Sequence, residues 1–238
     1  QGVFALFAGL ALYDFISMDG WFYELFGFAL PVWLGIIATM GVMVIVAWLV
    51  ELLVLRHLVN QEPIILFMST IGLAYFLEGL GDVLFGSDVK PLNVGLPSGA
   101  SDYLLDNYNL YVEKLEVVAA LIAAALVIVL AVFFQKTRIG RALRAVADDH
   151  QAALSVGISL RMIWVIVWSV SGFVALVAGI MWGSKSGIQF SLSLIALKAL
   201  PVLILGGFTS VPGAIIGGLI IGVGEKIAEI YAGPFIGG

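Results

Sequence analysis

The chain has 238 residues, 62% of them hydrophobic and 11% charged, with a net charge of −5 and a mean hydropathy of +1.12. Soluble domains carry roughly 25% charged residues and about half apolar ones, so lipid rather than water must be the main solvent of this chain. The acidic balance, without a long basic run, argues against nucleic acid, and the absence of cysteine excludes disulfides, thiolate metal sites and cysteine nucleophiles.

About twenty apolar residues cross a bilayer as a helix. In chain order the candidates are a partial span over 1–17, then 30–55, 63–85, 117–135, 161–183, 192–206 and 213–231. They predict an all-α, polytopic transmembrane bundle forming a single membrane domain over 1–238. Gln1-Gly2-Val3-Phe4 opens the chain inside an apolar stretch, and Pro234-Phe235-Ile236-Gly237-Gly238 closes it without a basic tail. Native spans are normally flanked, which predicts further residues at both ends.

Positive residues gather on cytoplasmic loops. All five arginines fall at Arg56 or on the segment carrying Arg138, Arg141, Arg144 and Arg161, two spans later. Both segments are therefore expected on the cytoplasmic side. The opposite loops are acidic, with Asp14, Asp19 and Glu24 in one and Asp88, Asp102, Asp106, Glu113 and Glu116 in the other. Trp21, Trp33 and Trp182 fall near outer boundaries, Trp48 and Trp164 near inner ones, as aromatic belts require.

Pro63, after Glu62, suits the first turn of a helix. Pro201 lies inside the 192–206 span and is expected to kink or break it. Gly206-Gly207-Phe208-Thr209-Ser210-Val211-Pro212-Gly213 marks a turn between spans. The outer loop 86–113 carries Pro91, Gly95, Pro97 and Gly99, and a short surface helix is expected over 101–108. That loop is either a landing site for an outer partner or a cover for the bundle.

Between two spans, Gly140 and Gly157 bracket an alanine-rich helix over 141–155. Leu143, Val146 or Ala147, and Leu154 make an apolar stripe, and Arg141, Arg144 and Asp148 share another face. Such a helix either docks into a groove of a cytoplasmic protein or lies solvated on the headgroups.

Catalytic signatures are missing. There is no phosphate-binding G-x-x-x-x-G-K-[ST] loop and no H-E-x-x-H motif. Both histidines, His57 and His150, fall on the arginine side, so no metal site, cofactor or Ser-His pair is expected in the bilayer. Ionisable residues within spans are costly and usually face a pathway or a bundle interior. They are Glu51, Glu78, Lys198 and Glu225; Glu51, near an inner boundary, reads as a snorkelling residue. Counting about 1.5 Å per residue puts Glu78, Lys198 and Glu225 at one depth in the outer half. Lys198 is expected to pair with Glu225, or failing that Glu78, towards the interior, as a polar gate or as a structural pair.

The arginine-rich segment also carries a resemblance. Thr137-Arg138-Ile139-Gly140-Arg141-Ala142-Leu143-Arg144-Ala145, then Asp148-Asp149 and Ser155-Val156-Gly157-Ile158, resembles the cytoplasmic loop of branched-chain amino acid ABC importer permeases of the LIV-H type. Leu197-Lys198-Ala199, followed by Leu205-Gly206-Gly207-Phe208-Thr209-Ser210-Val211-Pro212-Gly213-Ala214, resembles that family's signature near its end. Gln1-Gly2 resembles the close of its Asn-Phe-Ala-Gln-Gly motif.

The resemblance implies a non-enzymatic transport subunit of a bacterial inner membrane, moving branched-chain or other small hydrophobic amino acids. Its implied partners are two ATP-binding cassette subunits, a second homologous permease and a periplasmic substrate-binding protein. Residues 141–155 would be the coupling helix, with Arg141, Leu143, Arg144, Asp148, Asp149 and His150 at the ATPase. Glu78, Lys198 and Glu225 would belong to the translocation path, and one further helix would stand at each end. Relatives carry urea or short amides, so the substrate stays open. Two other readings also remain: a proton-coupled secondary transporter or channel using Glu78 or Glu225, and a membrane scaffold.

Overall fold

A computed structural model of the chain describes residues 1–58, 61–101, 106, 111–207 and 210–236. The helix expected over 101–108 falls almost wholly outside that set. The architecture is all helical. α1 spans Gly2–Ile16, α2 Trp21–Phe26, α3 Val32–Leu53, α4 Pro63–Phe85 and α5 Lys114–Lys136. α6 (Arg138–Asp148) and α7 (His150–Ser155) are short; α8 (Leu160–Ser186), α9 (Ile195–Gly206) and α10 (Val211–Ile236) complete the chain. Among the described residues, five helical stretches are long and apolar enough to cross a membrane, so this is a multi-pass membrane protein.

Internal contacts divide the chain into Gln1–Ser193 and Leu194–Gly238. In the first unit the centre is α1, which packs against α3, α4 and α8. The sequence marks 1–17 only as a partial span, yet this helix is apolar on every side, and a helix of that kind is buried. Leu6, Leu10 and Leu12 expose 1% of their surface or less. Small residues permit the approach: a Cβ at Gly179 on α8 would come within 2.7 Å of the Ala5 carbonyl oxygen. Aromatic rings seal the flanks, with Phe4 on Trp168 and Phe7 on Phe85.

α1 stops at a fixed corner. Asp14, 4% exposed, accepts a hydrogen bond from the Phe22 amide at the start of α2. α4 begins with Pro63 in its first turn, as its sequence predicts. At the same end as the α8–α5 ion pair Lys185–Glu116, 2.7 Å, Lys90 of the 86–113 loop forms an antiparallel bridge with Ile188.

After α8 the chain does not leave the unit. Residues 187–193 turn back into it: Ile188 and Leu192 are buried to 1% exposure or less. The Ser193 carbonyl lies so close to Gly2 that a Cβ there would collide with its oxygen. Non-helical backbone at membrane depth is tolerated only where protein or water satisfies it. The interruption is a 3-10 turn at Phe190–Leu194, ahead of Pro201.

In the second unit α9 and α10 form a hairpin packed through glycines; a Cβ at Gly217 would come within 2.7 Å of the Val202 carbonyl. Pro201 lies inside α9 with helix on both sides. Its 12 residues rise roughly 18 Å, little more than half of a ~30 Å hydrocarbon core.

Candidate functional site

The two arginine segments meet at one end of the first unit, and α6 and α7 lie there. Thr137 caps α6, accepting the Gly140 amide at 3.0 Å. Asp149 leaves helical geometry, ends α6 and caps α7 by accepting the Ala152 amide at 3.0 Å. The helix expected over 141–155 is therefore two helices with Asp149 at the break, because an Asp side chain competes for backbone amides. The break also changes the stripe: Ala153, 2% exposed, joins Val146 in the seam, while Leu154 is 49% exposed.

That seam rests on the start of α8. Val146, Ala153, Leu160 and Ile163 form one apolar cluster, with Ala142, Leu143, Ile158 and Trp164 against it. Leu143 thus packs on its own chain. Arg141, Arg144, Asp148 and Asp149 are exposed, and α6 is strongly amphipathic. His150 opens α7. Such a corner presents charge outward from a short, backed helix, the form of a docking element.

Glu51 overturns its sequence reading. It does not snorkel; it is 1% exposed. Arg56 Nη2 donates to its Oε2 at 3.2 Å, and Arg161 Nε lies 3.6 Å from its Oε1. A legible signal existed: Gly35, Thr39, Met43, Ala47 and Glu51 recur every four residues on α3, and all are buried. Small or compact residues at that spacing mark a helix-packing face, so the carboxylate at its end faces protein.

Within the first unit's interior, Ser193 Oγ donates to the Phe190 carbonyl at 2.8 Å and lies 3.3 Å from Glu78 Oε1. The same unit holds a cavity of about 270 Å³ lined by Phe4, Thr70, Ala74, Leu77, Trp168 and Ser171 among others. Gln1 Nε2 donates to Ser171 Oγ at its wall. Broken helices with exposed polar groups beside a cavity are where membrane transporters bind their cargo. Among the described residues no group of three His, Asp or Glu side chains is placed to hold a metal ion.

In the second unit Lys198 Nζ donates to Glu225 Oε1 at 2.7 Å, and both side chains are more than half exposed. The structure thus brings Lys198 to Glu225, the first partner that depth counting gives it, and places Glu78 with Ser193.

A model of the family described as branched-chain amino acid transport system / permease component matches residues 2–234. The high-affinity branched-chain amino acid transport system permease protein LivH of Salmonella typhimurium is 29% identical over 190 residues, covering 77% of this chain and 60% of the relative. LivH of Escherichia coli is 28% identical over the same shares. The probable branched-chain amino acid transport permease protein LivH of Methanocaldococcus jannaschii is 26% identical, over 90% of this chain and 68% of the relative. The chain spans about 60% of the length of the first of these relatives. No solved structure gives a significant match.

Proposed function

The chain belongs to the branched-chain amino acid transport permease family, and from that premise we propose that it is the membrane-spanning subunit of an ATP-driven importer of branched-chain or other small hydrophobic amino acids. It works in a bacterial inner membrane with two ATP-binding cassette subunits, a second homologous permease and a periplasmic binding protein. The subunit has no ATPase site of its own and receives the work of hydrolysis through α6–α7. Glu78, in contact with Ser193 in the first unit, and the Lys198–Glu225 pair, in the second, each serve translocation.

One observation carries the coupling role: α6–α7 turns its apolar seam onto α8 and leaves Arg141, Arg144, Asp148 and Asp149 outward. A connector that only covered headgroups would have no need of a buried seam locking it to a span. Because Leu143 packs inward, the test falls on the outward charges. Arg141 and Arg144 are both replaced by Glu in the assembled transporter in proteoliposomes. The folded subunit is expected to persist while ATP-dependent uptake is lost. Uptake that stays at the wild-type rate, or that follows a proton gradient and ignores ATP, overturns the reading.

A further inference from the structure

A charge removed from water, as Glu51 is at 1% exposure, persists only where cations compensate it. Two cations do so, and they are unlike. Arg56 sits on the 3-10 turn Leu55–Leu58 that follows α3, five residues from the carboxylate, and hydrogen-bonds it at 3.2 Å. It travels with Glu51 whatever α3 does. Arg161 belongs to a different element, the second residue of α8. Its Nε stands 3.6 Å away, an ion pair too long for a hydrogen bond, and its side chain is 63% exposed.

The residues around Arg161 belong to the seam. Leu160 and Ile163 are buried there with Val146 and Ala153. The connection from α7 has little slack: the Gly157 amide donates to Leu154, the Ile158 amide to Ala153 and the Ile163 amide to Ser159. Gly157 makes the turn with φ +83°, which only glycine adopts without strain. A displacement of α6–α7 is therefore delivered to the first turn of α8, and Arg161 is where that turn is tied to α3.

We propose that Arg161 is a releasable latch between the coupling corner and α3, with Arg56 the resident counter-charge that lets it open. Removing the sole partner of a buried charge is strongly destabilising. With Arg56 in place Glu51 is never stranded, so Arg161 detaches to solvent and returns at small cost. Arg161 is thus a positioning residue for coupling, and Arg56 is a structural one. This rests on the reading of the chain as an ATP-coupled permease.

The test uses the assembled transporter in proteoliposomes and compares Arg161→Met, Arg161→Lys and Arg56→Met. The chain has no cysteine, so spin labels on Leu53→Cys and Met162→Cys, both exposed and attached before assembly with unlabelled partner subunits, report the α3–α8 distance. Arg161→Met is expected to stay folded, to hydrolyse ATP, and to lose uptake per ATP by roughly tenfold or more, the scale of a typical coupling free energy. Its label distances should broaden or split, Arg161→Lys should recover part of the coupling, and Arg56→Met, which leaves Glu51 only the longer ion pair, should lose more stability than Arg161→Met. Unchanged uptake per ATP in Arg161→Met overturns the latch, as does unfolding of Arg161→Met to the same degree as Arg56→Met. If the wild type shows no ATP-driven uptake, the transport reading fails separately. The labels then decide alone: one unchanged narrow distance in Arg161→Met overturns the latch, and a split supports it.

Discussion

α1 and α5 are both apolar along their length, and they come to rest in opposite surroundings. Of the apolar window of Gly2–Phe26, 67% is buried inside the protein, whereas none of the window of Lys114–Lys136 is, although the latter window is the more apolar. In water a helix as apolar as α5 would be driven to the centre. In a bilayer nothing drives it there, because lipid tails are as apolar as leucine. Fit decides instead. Gly2, Ala5, Ala8 and Gly9 let α1 approach its neighbours to backbone contact, as the Gly179–Ala5 and Gly2–Ser193 distances show. α5 carries bulk such as Leu121, Ile128 and Val129, all more than half exposed, and lipid accommodates it without cost.

The contrast predicts a graded response. The largest effect belongs to Gly179→Leu, since a side chain there meets a backbone carbonyl that cannot step aside. Overpacking costs about 1–3 kcal/mol even among yielding side chains, so loss of the monodisperse folded protein in detergent is expected; normal thermal stability would break the comparison. Next comes Ile128→Lys on α5. It leaves internal packing intact but puts a charge against lipid, at about 2.5–3.5 kcal/mol near a helix centre. The inserted fraction should fall while the protein that does insert keeps its wild-type melting temperature. The smallest belongs to Ala124→Leu on the exposed side of α5, which should shift stability by no more than about 0.5 kcal/mol. A large loss there would mean that α5 is covered in the assembly.

The sequence carried the spans well, because hydropathy and proline placement are local properties: Pro63 opens α4 and Lys136 ends α5 close to the expected bounds. It carried the Lys198–Glu225 pairing too, from residue counts along the helices, but not its direction: the pair expected towards the interior is more than half exposed on both sides. What it hid depends on neighbours. Glu51 looks like any boundary carboxylate until Arg161, 110 positions on, is seen beside it. The split of the α6–α7 corner at Asp149 turned on one side chain capturing an amide, a competition that apolar periodicity does not record. The re-entry of 187–193 was invisible because the span bounds leave Ile188 in the connection after 183 and put Leu192 at the start of the next span, whereas both are buried.

The bridge between Lys90 and Ile188 gives that re-entry a mechanical meaning. Two backbone hydrogen bonds, 2.9 and 2.8 Å long, clamp the 86–113 loop to a strut whose far end, five residues on, touches Glu78. Leu92 adds a third point of grip at the Gly183 carbonyl. A push on the loop near Pro91 is therefore not absorbed at the surface. It reaches the strut directly, and five residues on it reaches Ser193 beside Glu78.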